Sequence, residues 1–143
     1  MTRKALLILA VSSLCSILTA PLSAQTAHPT GRFEIPFAFT VDGKTMPAGA
    51  YSVAVETADG LVRIDSEGAH HRTALTATYA AGSVAVSQPT LTFHRYGGQF
   101  FLSQISQPGG YAIRGLSVSP AEREAAKLPS SGPREAVNVA AIR

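Results

Sequence analysis

The chain reads as an all-β protein, an antiparallel β-barrel or β-sandwich of about seven strands with one short C-terminal α-helix. Three observations predict it. Apolar residues alternate with a period of two over several segments, turn dipeptides recur at short intervals, and helix start signals occur once. All twelve glycines and eight of the nine prolines follow residue 24, spread along the chain, which suits many turns and few long helices. No internal repeat and no strand–helix alternation is visible.

From Phe33 to Val41 the odd positions are Phe33, Ile35, Phe37, Phe39 and Val41, an aromatic inner face. Pro36 cannot donate to a ladder, so this strand is expected at an edge or with a bulge there. Asp42-Gly43 is a two-residue hairpin signal that brings Met46 opposite Phe39. After Pro47-Ala48-Gly49, the residues Tyr51, Val53 and Val55 share one face. Asp59-Gly60 predicts a second tight hairpin, with Val55 opposite Ile64 and Glu56 opposite Arg63. At Glu67-Gly68 the register that buries most pairs Ile64 with His71 and turns Leu75, Ala77 and Tyr79 inward. The competing slip would turn Ala74, Thr76 and Thr78 inward instead.

Residues 80–88 are small and weakly patterned. Thr90–Tyr96 and Gln99–Ser106 flank Gly97-Gly98, pairing Phe93 with Leu102, His94 with Phe101 and Arg95 with Phe100. Tyr111–Val118 is a last strand candidate. Ser119-Pro120-Ala121-Glu122 combines an N-cap serine, a proline at the first helical position and a glutamate three residues after the cap. This capping box starts a helix that stops before Pro129. Residues 129–143 are expected as a loosely ordered tail.

The first 24 residues have the form of a secretory signal peptide. Arg3 and Lys4 precede an apolar run from Ala5 to Ala20, and Pro21-Leu22-Ser23-Ala24 precedes Gln25. The run is short for a membrane span and is broken by Pro21. Residues 25–128 are then one β domain ending in the helix, with no transmembrane segment once the leader is removed. The expected location is exported: periplasmic, surface-associated or secreted. Loss of Arg3 and Lys4 takes the twelve Lys and Arg to ten, against nine Asp and Glu. Near-neutral charge without a basic cluster argues against a nucleic-acid partner. Cys15 is the one cysteine and lies in the leader, so the exported domain has no disulfide to make. Ser12-Ser13-Leu14 lacks the small residue expected before a lipidated cysteine.

Three stretches in order carry a family resemblance. They are Phe37–Gly43 with Pro47-Ala48-Gly49-Ala50-Tyr51, then Phe93-His94-Arg95-Tyr96-Gly97 with Phe101-Leu102-Ser103, then Ala121-Glu122-Arg123-Glu124. In these the chain resembles a group of small, secreted, β-rich proteins of soil bacteria whose function is uncharacterised. The likeness spans about residues 33–127, nearly the whole exported domain, and implies a shared fold. Its motifs are turn and core signatures, so it implies no catalytic residues, ligand or cofactor.

Chemistry-bearing side chains are scattered. His70 and His71 point to opposite faces of a strand, His94 lies on another hairpin, and His28 is near the N-terminus. A metal site would need His70 or His71, His94 and Asp65 to converge, and nothing local requires it. No nucleophile elbow appears, Glu56 has Arg63 to pair with, and Asp59 is used by a turn. The glycine pairs do not lie between a strand and a helix, as phosphate cradles do. No catalytic residue, metal ligand or cofactor is assigned.

The outer face of the Gly97-Gly98 hairpin carries Thr92, His94, Tyr96, Gln99, Phe101, Ser103 and Ile105. His94, Tyr96 and Phe101 make it more aromatic than a solvated face needs. They are the candidate binding residues, a contact patch for a carbohydrate, peptide or envelope component. The competing reading is that the helix beginning at Ser119 packs there, because a lone amphipathic helix needs an apolar surface. The leading functional expectation is an exported non-enzymatic module that binds an envelope or extracellular partner, or is itself part of the envelope. The alternatives are a carrier of a small apolar ligand, with Phe33, Ile35, Phe37 and Phe39 lining a barrel cavity, and a hydrolase or metal-dependent enzyme.

Overall fold

The alternation over residues 33–41 produces an inward face, but on two strands. In the computed structural model, which describes residues 28–142 apart from 57–59, 69–71 and 110–111, β1 covers His28–Ile35 and β2 covers Phe39–Val41. Pro36–Ala38 steps between them. The leader and Cys15 lie outside the described residues, as do His70, His71 and Asp59. β1 pairs with β4 (Gly49–Glu56), whereas β2 pairs with β3 (Lys44–Met46) and touches β8 (Gln99–Ser106). Proline has no N–H to contribute, so the ladder ends where the chain crosses.

The remaining strands are β5 (Leu61–Ser66), β6 (Thr73–Ser83), β7 (Thr90–Tyr96), β9 (Ala112–Leu116) and β10 (Glu135–Ala140). Among the described residues they form one mixed sheet, mostly antiparallel, accompanied by a single short α-helix, α1 (Pro120–Lys127). The order is β1-β4-β5-β6-β9-β8-β2-β3, with β7 on the opposite side of β8 and β10 outside β7. β6 serves both halves: Thr73–Ala77 pair with β5, and Thr78–Ser83 pair with β9. The expected loose tail is instead β10, in register with β7 from Glu135 opposite Arg95 to Ala140 opposite Thr90. Val137 and Val139 lean on the core, which gives this segment the burial that a frayed terminus lacks. Beyond it, the Ile142 N–H donates to the Arg32 carbonyl at 2.8 Å, an isolated bridge back to β1.

Turn chemistry set several registers as expected. Asp42 and Gly43 have φ of 47° and 75°, the two left-handed residues of a type I′ turn, and Phe39 faces Met46. The Gly97-Gly98 hairpin brings Phe93, His94 and Arg95 opposite Leu102, Phe101 and Phe100. Further along, Thr92 faces Gln104, leaving Ser103 as a bulge whose hydroxyl donates to the Thr92 carbonyl at 3.2 Å. The extra residue reverses the alternation, so Ile105, expected on the outer face, is fully buried opposite Leu91.

Two other registers differ from expectation. Val55 faces Val62, and Ile64 faces Val53, so the β4–β5 connection is two residues longer than the tight hairpin predicted at Asp59-Gly60. A shift of two leaves every side chain on its face, so alternation could not detect it. Arg63 consequently lies opposite Ala54, and its guanidinium reaches Asp65 on its own strand at 3.1 Å. In β5–β6, Ile64 faces Ala74, not His71. Ala74 and Thr76 are buried while Ala77 and Tyr79 are exposed, the arrangement that buries less area on β6 itself. Small residues suit this inward position because large side chains from the other strands already fill the interior. Outside, Tyr79 covers Gly115, where an added Cβ would come within 2.7 Å of the phenol ring.

The core is aromatic at its centre. Phe39 meets Tyr51 and Phe93 edge-on at 5.2 and 5.3 Å, while Phe37 meets Phe93 edge-on and stacks on Phe100. Phe33, Ile35, Ile64 and Leu91 are fully buried around them. The Tyr51 hydroxyl donates to the Pro47 carbonyl at 2.5 Å. No helix among the described residues is long and apolar enough to cross a membrane. Phe93→Ala should cost about 3–5 kcal/mol, because it removes the ring that Phe37 and Phe39 both contact. Urea unfolding monitored by tyrosine fluorescence measures this, and an unchanged midpoint would contradict the packing described.

Candidate functional site

The outer face of the β7–β8 hairpin, where the alternation predicts a contact patch of His94, Tyr96 and Phe101, is covered. α1 begins as its sequence dictates: Ser119 caps it, accepting from the Glu122 N–H at 3.1 Å, and Pro120 sits at the first position. The second arm of the expected capping box is absent. The Glu122 carboxylate turns inward, where its Oε1 lies 2.7 Å from His94 Nδ1 and accepts from the Tyr96 hydroxyl at 3.3 Å. An ionised carboxylate only accepts, which assigns the ring proton facing it to Nδ1.

One turn on, Ala125 packs against Tyr96 and Phe101 in a small second core. The Tyr96 ring stands edge-on to both His94 and Phe101. A 3-10 turn, Pro129–Ser131, then closes the helix end: the Ser131 hydroxyl donates to the Ala125 carbonyl and the Gly97 N–H to the Ser131 carbonyl at 2.9 Å. Tyr96 is thereby 9% exposed and Phe101 3%, and His94 is half-buried. The three residues come together as expected, but they seat the helix and offer no open aromatic surface. Arg95 spans the hairpin edge, with its guanidinium carbon 5.7 Å from the Phe100 ring centre and Glu135 of β10 at 3.3 Å.

Burial raises the Tyr96 phenol above its ordinary value near 10, and the negative charge of Glu122 pushes the same way, partly offset by Arg134. Burial likewise raises Tyr51, against a smaller opposite influence of Arg72.

Beside the first turn of α1 lies a partly enclosed cavity of about 200 Å³. Its polar side is formed by Thr40, Asp42, Thr76, Ser117, Ser119 and Glu122; Phe101 and Leu116 are on its apolar side. Glu122, 3% exposed, thus borders both the latch and the cavity. Sequence reasoning misses this site because it explains each member otherwise: Asp42 as a turn residue, Glu122 as a cap, Thr76 as a residue facing outward. The available signal is the Glu122–Ala125 spacing, which places a carboxylate on the helix stripe that faces the sheet. A shallower groove elsewhere is lined by Lys44, Met46 and Arg72, whose guanidinium donates to the Thr45 carbonyl at 3.3 Å.

Of the residues expected for a metal site, Asp65 lies on β5 and His94 on β7, and His70 and His71 lie outside the described residues. Asp65 accepts from the Thr73 hydroxyl at 2.6 Å and pairs with Arg63, far in the topology from the His94–Glu122 pair. Among the described residues, no group of three or more His, Cys, Asp or Glu is placed to hold a metal ion. Phe33, Ile35 and Phe39 belong to the buried core, with the partly buried Phe37 packed against it. No family model matches the chain, and comparison with curated proteins and with solved structures finds no similar protein. The family resemblance therefore rests on its turn and core motifs alone.

Glu122→Ala should destabilise the protein by about 1.5–3 kcal/mol, since it strands two donors in a closed site. The check is urea denaturation, with Glu124→Ala on the exposed helix face as the control; equal midpoints would refute the latch. Because Tyr96 holds its proton more tightly folded than unfolded, its contribution is complete below pH about 10 and is lost as pH rises through the elevated value. Stability should fall with a steeper alkaline slope in the parent than in Tyr96→Phe, as followed by melting temperature against pH.

Proposed function

We propose that the chain is an exported, non-enzymatic β-module that acts by binding, or as a structural component of the cell envelope. The observation that carries this reading is how the His94–Glu122–Tyr96 cluster is used. These are the groups best suited to acid–base chemistry, and they are spent on one another beneath α1. Among the described residues, the hydrogen-bond partner of the His94 side chain is Glu122. A packed aromatic core favours a module of this kind over a carrier with an apolar interior.

The architecture that supports such a module is, in our reading, a barrel. The bridge from Ile142 to Arg32 brings the β7–β10 side of the sheet back to β1, and β6 turns from one half to the other midway. Export follows from the signal-peptide form of residues 1–24, and residence in the periplasm, at the surface or outside the cell is consistent with a domain that needs no disulfide.

Expression of the full chain in a Gram-negative bacterium should yield a mature N-terminus near Gln25 by mass spectrometry. The exported protein should then co-sediment saturably with purified envelope fragments. Retention of residues 1–24 in the folded protein would overturn export. Failure to sediment with any envelope fraction would overturn the binding or structural role.

A further inference from the structure

The cavity beneath the first turn of α1 is more than a packing gap, because its lining is polar and largely unspent. Among the described residues, the side chains of Thr40, Asp42, Thr76 and Ser117 make no hydrogen bond to the protein, although all four border the cavity. Glu122 is 3% exposed; its Oε1 is taken by His94 and Tyr96, and among the described residues Oε2 has no protein donor. No sealed polar atom is left without a partner among these residues, so the unspent groups face space that a small molecule reaches. Of these, Thr76 and Glu122 are buried, and buried polar groups of this kind take water or a ligand as partner, whereas Asp42 and Ser117 are exposed.

Size and chemistry narrow the ligand. A cavity of about 200 Å³ has room for about seven waters at roughly 30 Å³ each, which is the bulk of a single six-membered ring. Threonine and serine hydroxyls both donate and accept, and the two carboxylates accept strongly from hydroxyl donors. Phe101 and Leu116 supply the apolar surface that the C–H face of a sugar requires. An anion would meet two carboxylates. A metal ion lacks a ligand set here. An ammonium could use the acceptors but leaves the hydroxyl donors idle. We propose that the cavity is a subsite for a single ring of a small neutral polyol, a monosaccharide or the terminal sugar of a glycan. Glu122 is a preorganised acceptor in it, since its other oxygen is already fixed by two donors and its backbone by the Ser119 cap. This rests on the binding role proposed above and names its ligand class.

The test titrates the purified exported protein with glucose, N-acetylglucosamine, putrescine and magnesium ion, followed by amide chemical shifts. At least one sugar should saturate, with the shifts centred on Thr40, Thr76 and Ser117. Asp42→Asn, which suits the same left-handed turn position, should weaken binding about tenfold. Thr76→Val should also weaken it, while Glu124→Gln on the exposed helix face should not. Glu122→Gln counts only if its amide spectrum shows an intact fold, so Asp42 and Thr76 are the deciding positions. The subsite is overturned if no sugar saturates, if putrescine or magnesium binds and sugars do not, or if Asp42→Asn and Thr76→Val bind like the parent. Envelope co-sedimentation separates the two claims: retention without sugar binding sinks the subsite alone, and sugar binding without retention sinks the envelope role alone.

Discussion

The three-residue step from Ile35 to Phe39 is the constraint around which the sheet is organised. Phe33 and Ile35 must face inward from β1, and Phe39 and Val41 must face inward from β2, although these strands belong to different halves of the sheet. Pro36 makes the crossing natural by ending the ladder, and Phe37 fills the crossing by stacking on Phe100 and meeting Phe93 edge-on. Phe39 then touches Tyr51 of β4 and Phe93 of β7. The two halves are held by side chains that neither half could bury alone. β6 is the complementary joint, a long strand whose first residues pair with β5 and whose last pair with β9.

On that frame α1 is an addition that needs its own attachment. Eight residues are too few for a helix to persist in water without tertiary contacts. Its buried face is narrow, consisting of Glu122 and Ala125. A buried carboxylate is costly unless hydrogen-bonded, and here two donors from β7 meet it. What such a contact adds over an apolar one is geometry: it sets the rotation of the helix about its axis. The same rotation leaves Glu122 bordering the cavity, so the latch and the proposed subsite share one side chain.

The difference between the legible and the illegible parts follows from what each signal reports. Asp42-Gly43 and Gly97-Gly98 encode turn geometry directly, and their hairpins have the expected pairings. The helix start was equally local, with Ser119 and Pro120 in the expected roles. By contrast, the β4–β5 offset was invisible, because a two-residue shift preserves every face. On β6, area favoured Leu75, Ala77 and Tyr79, yet Ala74 and Thr76 point inward. The space left by residues from other strands decided that, and no property of residues 73–79 alone encodes it. The Ser103 bulge was hidden likewise, since the neighbouring sequence is compatible with an unbroken ladder.

By itself the sequence determined most of the strand segments, where most turns fall and where the helix begins, since these follow from steric preferences and short-range hydrogen bonds within a few residues. It also brought His94, Tyr96 and Phe101 to one face. Only the tertiary structure decided that α1 covers that face, that Glu122 abandons its cap for two partners on β7, and that residues 135–140 become a strand. Those outcomes depend on which distant surfaces remain uncovered once the core has closed, and a carboxylate's best partners are chosen there by proximity in space.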